Sequence, residues 1–168
     1  MTGDHATPWQ LVVMGVSGSG KSAVGQSLAT LLGISFVDGD DLHPSANRQK
    51  MASGIPLTDE DRWPWLEVIG QTLQDAAPVV IACSALKRIY RDRIREVAPD
   101  SYFILLQVPE EELEKRMRSR ANHFMPPSLL RSQIDLLEPL EADETGIIIP
   151  NVGAIDDVSN LAVSYLRP

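Results

Sequence analysis

The chain has 168 residues and 43% of them are apolar, which is about the size and composition of one globular domain with its own core. Its formal net charge of −8 at pH 7 argues against a nucleic-acid-binding protein, because such a surface would be basic. No apolar run approaches the roughly 20 residues that a membrane-spanning helix needs. Residues 1–9 are polar and lack the apolar segment of a secretory signal, so we expect them to form a flexible tail.

A glycine-rich segment follows the first apolar run, residues 11–14, which predicts a buried strand. The segment has the G-x-x-x-x-G-K-S pattern of a phosphate-binding loop (P-loop), and its members are Gly15, Val16, Ser17, Gly18, Ser19, Gly20, Lys21 and Ser22. Small residues let backbone N–H groups turn toward phosphate oxygens, Lys21 reaches the β- and γ-phosphates, and the Ser22 hydroxyl can bind Mg²⁺. A helix with apolar residues at 24, 28, 31 and 32 follows and ends at Gly33. The pattern predicts a nucleoside triphosphate site.

A second apolar run, residues 34–37, predicts a strand that ends in the acidic residues Asp38 and Asp40. Open α/β sheets bind ligands at the carboxyl ends of their strands. We therefore expect one aspartate to face the Mg²⁺ site and the other to face an acceptor hydroxyl. The segment that follows is rich in polar and turn residues, and it predicts a short helix near 45–52, then a loop, then a helix over 64–75.

The rest of the chain alternates apolar runs with amphipathic segments. We expect strands over 79–83, 102–108 and 146–149, and helices over 88–97, 110–120, 129–137 and 155–165. This alternation is typical of a parallel α/β sheet that is covered on both faces. The single cysteine, Cys83, lies in an apolar run, so we interpret it as a small buried residue of a protein from a reducing cytoplasm.

Three arginines lie near the end of the predicted helix over 110–120. Arg116 and Arg120 are four residues apart and share one helix face, whereas Arg118 is expected on a solvated face. The proline-rich residues 123–127 that follow suggest a hinged lid over about 116–137. A lid that brings these arginines over the nucleotide would exclude water and prevent wasteful hydrolysis.

The remaining motifs favour a small-molecule kinase among P-loop proteins. A GTPase would need an N-K-x-D motif after a late strand, and the sequence has none. The chain is also too short for most motor ATPase cores. A compact kinase needs an acceptor pocket, a group near the attacking hydroxyl and cations for the phosphoryl group in transit.

Several further segments resemble those of the gluconate kinase family, whose fold is related to shikimate and adenylate kinases. These segments are Asp38-Gly-Asp40, Leu42-His-Pro44, Lys50-Met51, Asp61-Arg62, Pro64-Trp-Leu66, Cys83-Ser-Ala-Leu-Lys87, Tyr90-Arg-Asp92, His123-Phe124 and Glu138-Pro139. The resemblance runs from about residue 11 to 166, and residues 38–66 are its most specific part. It implies a three-layer P-loop NTPase fold with a five-stranded parallel sheet and a helical lid, forming a single kinase domain over 10–168.

The resemblance also implies an activity and its parts. The expected reaction is the ATP- and Mg²⁺-dependent phosphorylation of D-gluconate to 6-phospho-D-gluconate, by a cytoplasmic homodimer. Asp40 is expected on the acceptor hydroxyl, as positioner and possible base, and Asp38 joins Ser22 in the Mg²⁺ shell. Lys21, Arg116 and Arg120 would offset charge on the nucleotide, with Lys21, Asp40 and Arg120 as the catalytic residues. The turn over 151–153 is a candidate adenine edge.

Gluconate carries a carboxylate and five hydroxyls, so its pocket needs a cation and short polar groups. The candidates are His43, Lys50, Arg62, Ser84, Lys87, Arg91 and Arg95, together with Asp40. Which cation meets the carboxylate stays open, and His43 could equally be a structural histidine. Trp65 is expected in the core rather than as a sugar platform. Trp63 and the proline-rich lid tip, residues 122–126, are the departures from the family pattern, and the latter could alter lid mobility.

Three alternatives remain open. The acceptor could be another small hydroxy acid, such as shikimate, because a few contacts can shift pocket specificity. The chain could be a nucleotide-binding regulatory module without turnover. A nucleoside monophosphate kinase is the third alternative, although residues 38–66 do not resemble a base-binding pocket.

Overall fold

The computed structural model describes residues 8–119 and 127–167. The strands are β1 Gln10–Met14, β2 Ser35–Asp38, β3 Val79–Ala82, β4 Tyr102–Gln107 and β5 Gly146–Pro150, and the helices are α1 Lys21–Leu32, α2 Ser45–Ala52, α3 Asp59–Asp75, α4 Arg88–Val97, α5 Glu110–Ser119, α6 Pro127–Leu136 and α7 Ile155–Leu166. Most of the tail predicted over 1–9 lies outside the described residues, as do Arg120 and the proposed lid tip. Trp9, at the end of that tail, packs against the core instead of extending into solvent.

The five strands form one parallel sheet in the order β2-β3-β1-β4-β5. Strand β1 lies at its centre and is buried along its whole length. Val12 and Met14 of β1 face one apolar cluster, while Leu11 and Val13 face the other. This alternation within a wholly buried strand is the pattern of a parallel sheet that is covered on both faces.

Helices α3 and α4 cover one face of the sheet, and α1 and α7 cover the other. The first cluster contains Trp65 and Cys83, which are 2% and 1% exposed, so both are buried as predicted. The layers confirm the predicted α/β architecture. They also bring the ends of β1, β2 and β3 to one edge of the sheet, where the P-loop, Asp38 and the segment after Ala82 meet. No helix in the two described ranges is long and apolar enough to cross a membrane.

Helix α3 begins five residues earlier than the predicted start at residue 64. The Thr58 hydroxyl accepts the N–H of Asp61 at 3.1 Å, and the Asp61 carboxylate accepts the N–H of Thr58 at 2.9 Å. This capping box satisfies two free donors at the helix start. It therefore begins the helix ahead of Pro64, and Arg62 belongs to the helix rather than to a loop.

The chain after β2 turns sharply. Asp38 is the last residue of the strand, and Gly39–Leu42 form a short 3-10 helix, so Asp40 lies in that helix and not at the strand end. A Cβ on Gly39 would lie 2.4 Å from the carbonyl oxygen of Ala82, which leaves room for glycine alone. This close approach to β3 places Asp40 beside the P-loop.

Candidate active site

The P-loop joins β1 to α1, as the sequence predicts. Gly18 and Gly20 adopt φ angles of 80° and 91°, which glycine tolerates best, and they give the loop its turns. Lys21 is the first residue of α1, so its side chain starts at the positive end of the helix. Its Nζ donates a hydrogen bond to the Val16 carbonyl at 3.1 Å and stays folded over the loop.

Asn151, the residue that follows β5, supports the P-loop through a side-chain hydrogen bond. Its Nδ2 donates to the Ser19 carbonyl at 2.6 Å, and its own backbone N–H donates to Gln107 at 2.9 Å. A Cβ on Gly20 would lie 2.6 Å from this Nδ2, so the glycine is needed for the contact. The side chain of Asn151 is buried in this bracing role, whereas Val152 beside it is 64% exposed and leaves an apolar surface near the loop.

Arg116 reaches the same loop from α5. Its Nη1 donates to the Gly18 carbonyl at 3.1 Å and its Nη2 donates to the Asn151 carbonyl at 2.8 Å. The guanidinium group therefore lies beside the predicted phosphate site, where the sequence analysis expects it. Arg118 has a side chain that is 78% exposed, in agreement with its predicted solvated position. Arg120 lies outside the described residues.

Ser22 and Asp38 come together at the start of α1. The Ser22 hydroxyl donates to Asp38 Oδ2 at 3.1 Å, while Asp38 Oδ1 accepts the backbone N–H of Asp40 at 3.0 Å. Hydroxyl and carboxylate oxygens are the hard ligands that suit Mg²⁺, which keeps several waters when it binds near phosphates. Since no three His, Cys, Asp or Glu side chains within the described ranges cluster as a metal site, a cation here would need phosphate and water oxygens as well.

A cavity of about 180 Å³ opens beside the P-loop on the acceptor side. Its polar lining residues are Ser17, Lys21, Asp40, His43, Arg62, Ser84, Ser132 and Gln133. Six of these are sequence-predicted site residues, and they come from four separate parts of the chain. The cavity therefore joins the predicted phosphate site to part of the predicted acceptor site.

Asp40 lines the cavity together with the P-loop lysine, Lys21. Burial raises the pKa of its carboxyl above the ordinary value, the charge of Lys21 opposes this, and the charges of Asp38 and Asp41 raise the pKa further. A carboxyl group with a raised pKa that lines a cavity is a candidate for accepting a proton. Its position fits the expected role beside an acceptor hydroxyl.

The imidazole ring of His43 is neutral and can donate a hydrogen bond. Asn47 Nδ2 lies 3.2 Å from His43 Nδ1 and donates its other hydrogen to the Asp61 carbonyl at 2.8 Å. Burial, followed by the positive charges of Arg62 and Arg48, lowers the pKa of His43 to about 4. Because a neutral ring with an accepting Nδ1 carries its proton on Nε2, His43 has an N–H to offer a ligand.

Trp65 sets the orientation of that ring. The two rings stack with centroids 4.0 Å apart and planes inclined by 15°. The indole Nε1 donates to the Gly39 carbonyl at 2.8 Å, which fixes Trp65 to the segment that carries Asp40. Trp65 is thus a core residue whose one face also lines the cavity.

Arg62 is the arginine that reaches the cavity. Its Nη1 donates to the Leu57 carbonyl at 2.6 Å and to the Tyr90 hydroxyl at 3.0 Å, and its guanidinium lies 5.1 Å from the centre of the Tyr90 ring. Within residues 8–119 and 127–167, the Nε and Nη2 atoms of Arg62 have no hydrogen-bond partner. One edge of the guanidinium group therefore remains for an anionic ligand.

Arg91 does not line the cavity, and the prediction that it binds substrate is wrong. Its side chain is fully buried and bidentate on Glu144, with Nε–Oε1 at 2.6 Å and Nη2–Oε2 at 3.0 Å. Its Nη1 donates to the carbonyls of Ala85 and Leu86 at 3.0 and 3.2 Å. Arg91 instead supports the segment that brings Ser84 to the cavity.

Arg95, whose side chain is 19% exposed, binds the same carboxylate and does not line the cavity, so its predicted contact with the substrate has no support in the structure. It donates to Glu144 at 2.5 Å and to Asp92 at 3.0 Å, and it stacks over the Phe103 ring at 4.7 Å. Burial raises the pKa of Glu144, but hydrogen bonds from Arg91, the Glu141 N–H and Arg95 outweigh it and lower that pKa to about 2. The carboxylate is therefore ionised within the core.

The two predicted lysines lie at the edge of the acceptor region. Lys50 pairs with Asp61 at 2.7 Å, and Lys87 lies 3.9 Å from Asp59 and 5.7 Å from the centre of the Tyr90 ring. Neither residue lines the cavity. The structure thus brings Arg62, rather than these lysines, to the acceptor side.

Helix α6 forms a wall of the cavity that the sequence analysis did not assign. The lining residues Leu129, Ser132, Gln133 and Leu136 are spaced i, i+3, i+4 and i+7, which is one helix face. Gln133 Oε1 accepts the backbone N–H of Ser17 at 2.6 Å. A search for polar residues on the apolar face of this predicted helix would have found Ser132 and Gln133.

This fold and site define a P-loop kinase for a small molecule. The family model described as "AAA domain" matches residues 11–140. The chain also has the fold of the shikimate kinase from Acinetobacter baumannii, at 20% identity and a TM-score of 0.59 over 95% of this chain and 92% of that one.

Closer relatives specify the family. The thermosensitive gluconokinase of Escherichia coli K12 is 45% identical over 89% of this chain and 81% of its own, and the gluconokinase of Arabidopsis thaliana is 44% identical over 94% of both chains. The crystal structure of a gluconokinase from Sinorhizobium meliloti 1021 has 47% identity and a TM-score of 0.88 over 95% of this chain and 91% of that one. The chain belongs to the gluconokinase family.

Proposed function

We propose that the chain transfers the γ-phosphoryl group of ATP to the 6-hydroxyl of D-gluconate, which gives 6-phospho-D-gluconate. The observation that carries this proposal is the shared cavity, in which Lys21 of the P-loop, Asp40 and Arg62 line one space. The gluconokinase relatives support the choice of acceptor.

On the nucleotide side, the chain supplies fixed donors and cations. The P-loop N–H groups and Lys21 would bind the phosphates, and Arg116 would add positive charge beside them. Ser22 and Asp38 would hold Mg²⁺, which offsets phosphate charge when it is bound. Arg120, from outside the described residues, remains our candidate for a further catalytic cation, and Val152 is our candidate for the adenine contact.

On the acceptor side, the described contacts separate three roles. Arg62 offers a planar edge to the carboxylate of gluconate, and the Nε2–H of His43 and the Ser84 hydroxyl suit its hydroxyl groups. Asp40 would orient the 6-hydroxyl for in-line attack and accept its proton. Catalysis would then consist mainly of positioning and charge neutralisation.

The family resemblance supports a homodimer in the cytoplasm that feeds sugar-acid catabolism. The net charge of −8 supports the absence of a nucleic-acid partner. The lack of a membrane-spanning helix in the described ranges gives no support to a membrane partner.

The test is ADP release with Mg-ATP and a panel of acceptors: D-gluconate, shikimate, 2-ketogluconate, D-sorbitol, AMP and no acceptor. We expect turnover with D-gluconate and little with D-sorbitol, which has the same open chain but no carboxylate for Arg62. Equal turnover with both would remove the carboxylate contact from the proposal. Preference for shikimate or AMP would keep the kinase and change the acceptor, and ATP binding without any turnover would favour a regulatory module.

A further inference from the structure

Helix α6 contacts the P-loop through the carboxamide of Gln133. Its Oε1 accepts the backbone N–H of Ser17 at 2.6 Å, across 116 positions of the sequence. Ser17 also lines the cavity together with Lys21 and Asp40. The contact therefore lies where the phosphate side of the site meets the acceptor side.

The partner of Gln133 determines which end of the carboxamide is available. A backbone N–H can only donate, so the carbonyl oxygen of the side chain must face Ser17. The Nε2 group then directs its two hydrogens away from that N–H. In the part of the chain that the structure describes, Nε2 has no hydrogen-bond partner, and Gln133 lines the cavity. Its donors are thus available to a ligand there.

The helix that carries Gln133 is fixed at its carboxyl end. The N–H of Glu138 donates to the Leu86 carbonyl at 2.8 Å, and the Glu138 carboxylate accepts the N–H of Arg88 at 2.9 Å. Leu129 and Leu136 of α6 line the cavity on either side of Gln133 and give it apolar surroundings. A donor that is held in place in such surroundings needs little reorganisation to bind an oxygen atom.

We infer that Gln133 is an acceptor-positioning residue. Its Oε1 stays on Ser17, and its Nε2 donates to a hydroxyl oxygen of the polyhydroxy acid and holds that chain below the phosphoryl group in transit. The inference rests on the proposed function for the identity of the acceptor. It adds a contact from α6 that the P-loop pattern and residues 38–66 do not assign.

Two substitutions separate this role from a purely structural one. Gln133→Glu keeps an oxygen opposite the Ser17 N–H and replaces the donating group by a second oxygen, whereas Gln133→Met keeps the length and removes both groups. If Gln133 only anchors α6, loss of the Ser17 contact in the Met variant should weaken ADP binding as much as it raises the KM for D-gluconate. If Nε2 positions the acceptor, both variants should be impaired.

The measured quantities are kcat and KM for D-gluconate and, without acceptor, the dissociation constant of ADP. We expect the KM for D-gluconate to rise about tenfold in Gln133→Met, since one neutral hydrogen bond is lost. In Gln133→Glu we expect a rise of roughly 100-fold, because a carboxylate would face an anionic acceptor. The dissociation constant of ADP should stay within about threefold of the wild-type value in both variants. Gln71→Glu, the same change on the exposed surface of α3, is the control and should leave every value unchanged.

A Glu variant with a KM within twofold of the wild-type value would overturn the inference, and so would a Met variant that uses gluconate better. If the wild-type chain prefers another acceptor in the panel, the proposed function fails, and the same variants are compared on that acceptor. A wild-type chain that uses no acceptor overturns both.

Discussion

The buried pair of Arg91 and Glu144 leads to a quantitative prediction for Arg91→Met. The substitution removes two hydrogen bonds to Glu144 and two further hydrogen bonds to the carbonyls of Ala85 and Leu86. The side chain of Glu144 has 0% exposure, and among the described residues its carboxylate keeps Arg95 at 2.5 Å and the Glu141 N–H at 2.8 Å as partners. Its charge is then incompletely compensated inside the core.

Breaking a buried ion pair by removing one partner costs about 3–5 kcal/mol. Because Arg95 still offsets part of the Glu144 charge, we expect the lower end, about 3 kcal/mol. For a domain of this size, this corresponds to a fall in Tm of roughly 6–12 °C. Thermal and urea unfolding, followed by circular dichroism, would measure it.

Arg93→Met is the matched control on the same helix. Arg93 pairs with Glu96 and Glu67, and its side chain is 37% exposed while theirs are 50–62% exposed. Surface pairs of this kind contribute about 0–1 kcal/mol, so the control should lower Tm far less. If Arg91→Met costs no more than Arg93→Met, the account of a buried supporting pair is refuted.

The remaining predictions concern the site and its pH dependence. Lys21→Met should reduce turnover by about 10³-fold or more, since the phosphate cation is lost, while Tm stays close to the wild-type value. Asp40→Asn should lower kcat by about 10²–10⁴-fold. In the wild type, kcat should fall at a pH above the ordinary carboxyl range because the pKa of Asp40 is raised, and this fall should be absent in the variant. Glu144 should stabilise the fold fully above its unfolded pKa of 4.5, and this stabilisation should be lost as pH falls toward about 2. Kinetics over pH and acid unfolding of Glu144→Gln would check the last two.

The P-loop and the sheet could be predicted because their signals are local. The loop requires particular residues at fixed spacings, and the buried run of β1 predicts a central strand without information from elsewhere. The predicted start of α3 at Pro64 is wrong, although proline is favourable as a first helical residue. The capping box of Thr58 and Asp61, which is also visible in the sequence, determines the true start.

The roles of the cations could not be predicted from their positions along the chain. Arg91 and Arg95 are four residues apart on a basic helix, which is equally consistent with a ligand site and with a buried pair. Their partner, Glu144, lies about 50 positions away, and only the fold brings it to them. Ser17 and Gln133 are also far apart in the sequence, so the contribution of α6 to the site could be recognised only from the structure.

The identity of the phosphorylated product tests the central claim most directly. The chain would be incubated with Mg-ATP and D-gluconate, and the products examined by ³¹P and proton NMR. The account predicts a new phosphomonoester coupled to the protons at C6, formed together with ADP, and formed far more slowly when Asp40→Asn replaces the wild-type chain. Release of inorganic phosphate alone, or a phosphate on another hydroxyl of gluconate, would contradict it.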